Sequence, residues 1–547
     1  MHRLGLAVGA AHLNSRDPES EATAVSKDMP RNFSAQYSHG TSSGSPDDLP
    51  FVLNDQHLTP GYGVENDVDL VTFYPKGYNE TSTVLGGMVT GNPERVLGTL
   101  SVVAVTFFFG CGGPLGSEDA ISTAGPLVAL MAYIVYPIVF TFPYGAVVAE
   151  LCTTFPEDGG FPIAVRNAFG QFWGFQVGYW SWVGNIVSTA IYPAMLLDLL
   201  VTHAGLNLPS AGVEYLVKAT LALVFSIPLF FKTQLLTRMA SFFLFVVLLS
   251  TLVYVVWAYA HSGSYEQLGQ VRREGTKYNE DLSKMENIGD ADVDWFALLD
   301  TVFWNYDGIQ MASVFGGQVL IPARVYPRAI SITVGLTVLC YVMPIIPTVA
   351  AKYLDWTLFG EITYANTAFM IGGTFLRTVM VIVNFITTIG MYMSSLFCES
   401  TELAGMAAAG IVHHGLGVRS QRYGSPHVSV ALTVIFTLIL VALDTSFLLP
   451  VTNVFASLVV AAIFITGVQL RRRFPFFRRP TTVPGGAMTL IAISVLPIAI
   501  SGTLLVKALI NSVITALTVV GFLVVGVCYG FWDQWHRRQN PRPTMMH

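Results

Sequence analysis

Two apolar stretches of the chain contain acidic side chains. Glu118 and Asp119 follow an apolar run that starts at Val96, and a second acid follows a run that starts at Trp295. The end of that second run reads Trp304, Asn305, Tyr306, Asp307. A charged carboxylate inside a membrane costs roughly 2.5–3.5 kcal/mol on insertion scales, so such acids tend to be functional. They can bind a cation or carry a proton, and the proton-coupling candidates are Glu118, Asp119 and Asp307.

Both acidic sites lie beside sequences that cannot continue a helix. The stretch from Gly110 to Gly116 contains four glycines and a proline in seven residues, which breaks a helix. The second run meets Gly308 and then Gly316 and Gly317. Unwound backbone is tolerated in a membrane only where it is buried in protein or lines a wet cavity. The two breaks therefore predict one central binding site, and a pair of structural kinks is the alternative.

Composition places these breaks in a polytopic membrane protein. Of 547 residues, 52% are hydrophobic and 12% are charged, whereas a soluble domain carries about 25% charge. Mean hydropathy is +0.55. A net charge of −6 provides no basic patch, so nucleic acid is excluded as a partner. The five cysteines are scattered and form no metal-ligand spacing, so neither a metal site nor a cofactor is predicted.

Apolar windows of about 20 residues predict twelve transmembrane helices. We place them near 96–122, 125–150, 173–202, 213–231, 239–260, 295–320, 329–351, 375–398, 428–446, 449–470, 487–506 and 511–532. The interrupted spans are the first and the sixth. Because five crossings separate them, two successive five-span units would have opposite orientations, as in the inverted repeats of secondary transporters. The repeats would cover about 96–260 and 295–470, with two helices appended.

The remaining segments predict topology. Residues 1–95 are rich in Ser, Gly, Asn, Pro and Asp and predict a disordered tail. Residues 96–532 form the transmembrane domain, and 533–547 form a short C-terminal tail. With the N-terminus inside, inner loops hold more Lys and Arg than outer ones, so both tails are predicted to be cytoplasmic. The polar, acidic loop 261–294 then faces outside.

Several motifs resemble those of plant and protozoan polyamine transporters. Residues 112–127, GGPLGSEDAISTAGPL, are similar to that group's first-span signature GGPxGxExxVxxAGPL. The stretches FPEDGG (155–160) and FWGFQVG (172–178) resemble its FPENGG and FWGFQxG. The resemblance covers roughly residues 96–425. It implies an all-α membrane fold of the amino acid–polyamine–organocation superfamily, with a leucine-transporter-like 5+5 inverted repeat and discontinuous helices 1 and 6. It also implies polyamine uptake by proton symport, most often at the plasma membrane.

The sequence departs from the group's pattern after the second break. Gln318 stands where the group has Glu, and Asp307-Gly308-Ile309-Gln310 replaces its Asn-Tyr-Trp-Asp run. These departures affect substrate preference, such as putrescine against spermidine, more than they affect the fold.

A polyamine substrate requires a particular set of side chains. It has no carboxylate but several ammonium groups along a methylene chain, so it needs carboxylates, aromatic faces and apolar walls. The predicted substrate-binding residues are Gly112, Gly113, Gly116, Glu118, Tyr192, Asp198, Trp304, Asn305, Tyr306 and Asp307.

Each acid also has a structural interpretation. Asp307 would suit the N-cap of a second half of helix 6, and Glu118 or Asp119 would suit that of helix 1b. Asp198 could equally pair with a basic group.

Other charges are given structural roles. Glu150 and Glu157 are predicted to pair with Arg166 or Arg238. The arginines at 471–473 and 478–479 are interpreted as a membrane-surface patch.

Two other functions remain open. A cationic or neutral amino-acid carrier of the same fold differs in needing no carboxylate at position 307. A transporter-like nutrient sensor would need a structured cytoplasmic extension. An enzyme is not expected, because no nucleophile–base or metal-ligand cluster is apparent.

Overall fold

The computed structural model describes residues 95–539, except 206–207, 280–283, 361 and 444, and the backbone of four short strands before them. Those strands are β1 (Phe51–Leu53), β2 (Phe73–Pro75), β3 (Thr83–Leu85) and β4 (Met88–Thr90). β1 pairs with β2, and β3 with β4, both antiparallel. The rest of the predicted tail 1–95, and residues 540–547 of the predicted C-terminal tail, lie outside the described residues.

The predicted break in the first span is present. Helix α1 (Thr99–Gly110) ends where the glycine-rich stretch begins, and α2 (Asp119–Ala124) resumes after it. Gly112 and Gly116 have φ of 68° and 85°, backbone conformations that favour glycine. The glycines therefore allow the chain to unwind for eight residues and then turn into a second, shorter helix.

The next four predicted spans are built from seven α-helices. They are α3 (Pro126–Tyr136), which continues through a π-helical turn (Pro137–Thr141) into α4 (Phe142–Thr154), then α5 (Phe161–Phe169), α6 (Gln171–Thr189), α7 (Ile191–Ala204), α8 (Ala211–Ser226) and α9 (Thr233–Ala260). Loop 261–294 contains an antiparallel hairpin, β5 (Arg273–Asn279) and β6 (Lys284–Ala291). The sequence pattern did not predict this hairpin.

The second break differs from the predicted one. α10 (Trp295–Tyr306) is followed only by 3₁₀ turns at Ile309–Ser313 and Gly316–Gln318. The N-cap of the first turn is Gly308, with no side-chain hydrogen bond, so Asp307 does not cap a second half-helix. The backbone N–H of Gly317 donates to the Asp158 carboxylate at 3.0 Å. This hydrogen bond holds the segment against loop 155–160 and replaces an α-helical backbone hydrogen bond.

Six helices and one short strand complete the described part of the chain. They are α11 (Pro322–Ala350), α12 (Thr363–Ala408), β7 (Arg419–Ser420), α13 (His427–Leu440), α14 (Thr445–Arg473), α15 (Gly486–Asn511) and α16 (Val513–Gln539). α12 kinks at Gly373, where φ is 65°. It continues ten residues beyond the predicted span end at Cys398. The prediction stopped there because Glu399 and Glu402 interrupt the apolar window.

Nine helical stretches of the described residues are long and apolar enough to cross a membrane. The three remaining predicted windows contain the broken pair α1 and α2, the twelve-residue α10 and the fourteen-residue α13. The protein is thus an all-α membrane protein with helices in every predicted window. We refer to the end of the bundle where α1 begins as the α1 end.

One close backbone contact fixes α12 against the loop that follows α4. A Cβ atom on Gly405 would overlap the backbone of Asp158 and Gly159. Only glycine allows this approach, and it places loop 155–160 beside the segment that follows the second break.

Gly405→Ala should therefore destabilise the protein, by about 1–3 kcal/mol for an overpacked site. Gly335→Ala is the matched control, because a Cβ there meets no atom within 4 Å and alanine is the better helix former. The measurement is the thermal unfolding midpoint of both purified variants in detergent. Equal midpoints for the two variants would contradict the proposed contact.

Candidate functional site

The two breaks meet in the middle of the bundle. A Cβ on Gly110 would lie 2.6 Å from the carbonyl oxygen of Asp307, and one on Gly308 would lie 2.5 Å from the Phe109 ring. α1 ends at Gly110 and α10 ends at Tyr306. The C-terminal ends of two helices, each carrying partial negative charge, therefore point at the same place.

A small cavity lies at this junction. Its volume, counted as the space that the centre of a water molecule can occupy, is about 40 Å³. The span 1 break, α6 and α7, the α10 end and three later helices all contribute to the wall. The lining residues are Phe109, Gly110, Cys111, Leu115, Gly116, Asn185, Ser188, Tyr192, Met195, Trp304, Asn305, Asp307, Tyr341, Met391 and Thr452.

Asp307 is the acid of this cavity wall. Its Oδ1 accepts a hydrogen bond from Gln310 Nε2 at 3.2 Å. Among the described residues it forms no ion pair with a lysine, arginine or histidine. The carboxylate adds to the negative ends of α1 and α10, and this combination favours a cation in the cavity.

Asn305 joins the two breaks. Its Nδ2 donates to the backbone oxygen of Gly116 at 3.2 Å and to Tyr133 Oη at 2.7 Å. Its own backbone oxygen accepts from Tyr341 Oη at 3.0 Å. This buried network keeps the irregular backbone hydrogen-bonded, as the interior of a membrane protein requires.

Five of the ten predicted substrate-binding residues line the cavity: Gly116, Tyr192, Trp304, Asn305 and Asp307. The other five are placed elsewhere. Gly112 and Gly113 pack against α12, where Thr387 Oγ1 donates to the Gly112 oxygen at 3.0 Å. Tyr306 donates to the backbone oxygen of Tyr133 at 2.8 Å.

The remaining predicted acids lie away from the cavity wall. Glu118 is 1% exposed and lies near the phenols of Tyr133, Tyr254 and Tyr364. Asp119 is half-buried at the start of α2. Asp198 is exposed on α7, with Lys218 nearby, and Lys218 itself pairs with Glu214 at 2.6 Å.

Several cavity residues were missed by sequence reasoning. Tyr341, Met391 and Thr452 come from α11, α12 and α14. They are uncharged and lie in ordinary membrane-type helices, so no local pattern singles them out. The sequence could have indicated Cys111 as a cavity residue, because it lies within the glycine-rich break.

A buried ion pair closes the α1 end below the cavity. Arg419 Nη2 lies 2.7 Å from Asp158 Oδ2, and both side chains are almost fully buried. Arg95 donates to the backbone oxygens of Val319 at 2.8 Å and Pro156 at 3.2 Å. These contacts join three segments at the α1 end: the chain before α1, loop 155–160 and the segment after the second break.

Glu157 lies in the same loop 155–160. Burial raises the pKa of the Glu157 carboxyl, and the nearby charges of Arg166 and Arg95 oppose that shift. Arg166 is thus near Glu157, and the predicted pairing of Glu157 with Arg166 or Arg238 stays a prediction.

Glu150 has different partners from those predicted. It accepts two hydrogen bonds from the Arg471 guanidinium, lies 3.4 Å from Arg479 Nε, and accepts from the Val483 N–H at 2.9 Å. Pairing with Arg166 or Arg238 was therefore wrong. Arg471 and Arg479 are also buried and paired with Glu150, not part of a surface patch. The sequence could not show that the end of α14 packs beside α4.

Comparison with known proteins identifies the class. Residues 97–532 match the family described as Amino acid permease, and the chain belongs to that family. It is 27% identical over 451 residues to Polyamine transporter RMV1 of Arabidopsis thaliana, covering 81% of this chain and 88% of the relative. It is 26% identical over 434 residues to Polyamine transporter PUT1 of Oryza sativa subsp. japonica, covering 79% and 77%.

A more distant relative is Amino-acid permease RocE of Bacillus subtilis, 24% identical over 342 residues, covering 61% of this chain and 70% of the relative. The predicted resemblance to the polyamine transporter group is confirmed by these matches. The protein is an integral, multi-pass membrane transporter.

Glu150→Gln should destabilise the protein by about 3–5 kcal/mol, because it leaves buried arginine charge uncompensated. Asp533→Asn is the control. Its carboxylate pairs with Arg537 at 2.7 Å within one helix and is partly exposed, a pair worth about 0–1 kcal/mol. The measurement is thermal unfolding in detergent. A Glu150→Gln midpoint no lower than that of Asp533→Asn would rule out a stabilising role for the cluster.

Proposed function

We propose that the protein imports polyamines of the putrescine and spermidine class by proton symport, through alternating access around the central cavity. The observation that carries this proposal is the position of Asp307. Its carboxylate lies at the negative ends of two broken helices and has no basic partner among the described residues. Such a site attracts an ammonium group and repels a substrate carboxylate. The printed names of the plant relatives support the same substrate class.

The other cavity residues suit the rest of such a substrate. Trp304 offers an aromatic face for a cation–π contact with an ammonium group. Leu115 and Met195 offer apolar surface for methylene groups. In this conformation the cavity has room for only a few water molecules. Entry of a polyamine therefore requires the surrounding helices to move apart, as alternating access demands.

The proposed topology has twelve crossings, cytoplasmic termini and a plasma-membrane location. The repeats cover about 96–260 and 295–470, and α15 and α16 are appended. With this orientation the α1 end faces the cytoplasm, and the Asp158–Arg419 pair belongs to a closed inner gate. Opening toward the cytoplasm would then require that pair to separate.

Proton coupling is favoured by the acids at membrane depth. Glu118, Asp119 and Asp307 are the candidates that the sequence provides. An amino-acid carrier is the second candidate, favoured by the relative named Amino-acid permease RocE. Position 307 separates the two, because a carboxylate there opposes binding of a substrate carboxylate.

Asp307→Asn should cripple polyamine uptake without unfolding the protein. Asn keeps the shape and the Gln310 hydrogen bond but removes the charge. Losing one partner of a desolvated charge pair costs about 2–5 kcal/mol, which raises the apparent KM roughly 30-fold or more. The measurement is concentration-dependent spermidine uptake in a transport-deficient host, normalised to surface expression.

Asp292→Asn, in the exposed outer loop, is the matched control and should retain wild-type KM. Wild-type kinetics in Asp307→Asn would remove Asp307 from the site. Arginine uptake in the same cells tests the alternative, since an amino-acid carrier should gain or keep activity when the carboxylate is removed.

Uptake should also rise with an inward proton gradient and be indifferent to sodium. The reason is that carboxyl groups at membrane depth can load and release protons. The measurement is putrescine uptake at fixed external pH with sodium or with choline as the external cation, followed by the same assay with the proton gradient collapsed. Loss of uptake in choline, with the gradient intact, would refute proton coupling.

A further inference from the structure

Two glutamates lie side by side in the protein interior, outside the cavity wall. Glu399 and Glu402 are both on α12, three residues apart and so on one helix face, and both are 0% exposed. That face packs against α6. Glu399 Oε1 accepts a hydrogen bond from Thr189 Oγ1, and Glu402 Oε2 accepts from Ser181 Oγ at 3.0 Å.

Neither carboxyl group is compensated by a positive charge. Among the described residues, no lysine, arginine or histidine pairs with either group, and Glu399 Oε2 and Glu402 Oε1 have no hydrogen-bond partner. The titratable groups that face them are Tyr192 from α7 and Tyr392 and Cys398 from α12. Two adjacent charged carboxylates without counter-charge are strongly unfavourable in an apolar interior. This conformation therefore holds at least one proton on the pair.

The pair is connected to the cavity wall through α6. Ser181 Oγ, which donates to Glu402, accepts from Asn185 Nδ2 at 3.2 Å. Asn185 lines the cavity and also lies 3.3 Å from the sulfur of Met311, in the 3₁₀ turn just after Asp307. Thr189, which donates to Glu399, follows the cavity residue Ser188. A change of charge on the pair thus acts on two hydrogen bonds that join α6, beside the cavity, to α12.

We propose that Glu399 and Glu402 together form the proton-carrying site of the transport cycle. The inference rests on the proposed function and assigns its proton. In loading, one carboxylate takes a proton from water on the outer side and becomes a neutral acid. In release, the acid returns that proton to water on the inner side, and no other bond forms or breaks.

The surroundings favour a proton over a second ammonium group or a sodium ion. The pair is fully enclosed by helix packing and is not part of the cavity wall. A proton needs no space of its own, whereas a substrate ammonium group or a metal ion needs a cavity and several oxygen ligands. The two hydroxyl donors can hydrogen-bond to the carboxyl groups in either protonation state.

The test compares wild type with Glu399→Gln/Glu402→Gln in sodium-free proteoliposomes, with the membrane potential clamped at zero. Glutamine imitates the neutral acid. With one proton per substrate, an inward gradient of about one pH unit should drive roughly tenfold putrescine accumulation in wild type. The double variant should only equilibrate putrescine, to a ratio of about one. Putrescine counterflow without a gradient should stay within about twofold of wild type, because the cavity wall is unchanged.

The exposed Glu266 provides the matched control, and Glu266→Gln should accumulate putrescine as wild type does. If the double variant does not reconstitute, the single variant Glu402→Gln is measured in the same accumulation and counterflow assays and judged by the same outcomes. Gradient-driven accumulation that persists in the variant would overturn the inference. So would a large rise in the counterflow KM with accumulation intact, which would make the pair an ammonium subsite. A wild type that carries no polyamine, or that ignores the proton gradient, would instead refute the proposed function.

Discussion

The need to keep broken backbone hydrogen-bonded inside a membrane governs the arrangement of this protein. α1 and α10 both end in mid-bundle, and their last turns meet at Gly110 and Asp307. Asn305 donates one hydrogen bond directly across to the other break, at the Gly116 oxygen, and a second to Tyr133 on α3. Because both helices present their C-terminal ends, the junction is electronegative even before the Asp307 side chain is counted. The cavity lies at that junction and therefore has negatively charged surroundings.

The closed α1 end depends on the same junction. After Asp307 the chain forms 3₁₀ turns and not an α-helix. The Gly317 N–H therefore makes no α-helical hydrogen bond and can donate to Asp158. Asp158 in turn holds Arg419. One carboxylate therefore links the segment after the second break to the loops after α4 and α12. A movement of the broken span would be transmitted to this buried ion pair, because neither charge can be left unpaired in the interior without large cost.

The two pairs of acids have different surroundings and hence different chemistry. Glu150 and Asp158 lie near the ends of helices, where arginines from distant parts of the chain reach them. Glu399 and Glu402 lie within α12, and hydroxyl groups from α6 donate hydrogen bonds to them. Acids with guanidinium partners have their charge compensated within the protein. Acids without them are favoured as neutral groups, which is the property a proton carrier needs.

The sequence by itself determined the class of protein, the position of most helices and the two breaks, because these depend on local composition: apolar windows, and glycines that cannot continue a helix. It also singled out Asp307, since an acid beside a break in an apolar run is conspicuous. Tertiary structure alone decided which side chains meet there. Tyr341, Met391 and Thr452 reach the cavity, while Glu118 and Tyr306 lie outside its wall. The partners of Glu150 were likewise hidden. So was the burial of Glu399 and Glu402 within α12, because a hydropathy window ends at an acid whereas a helix packed on all sides can continue through it.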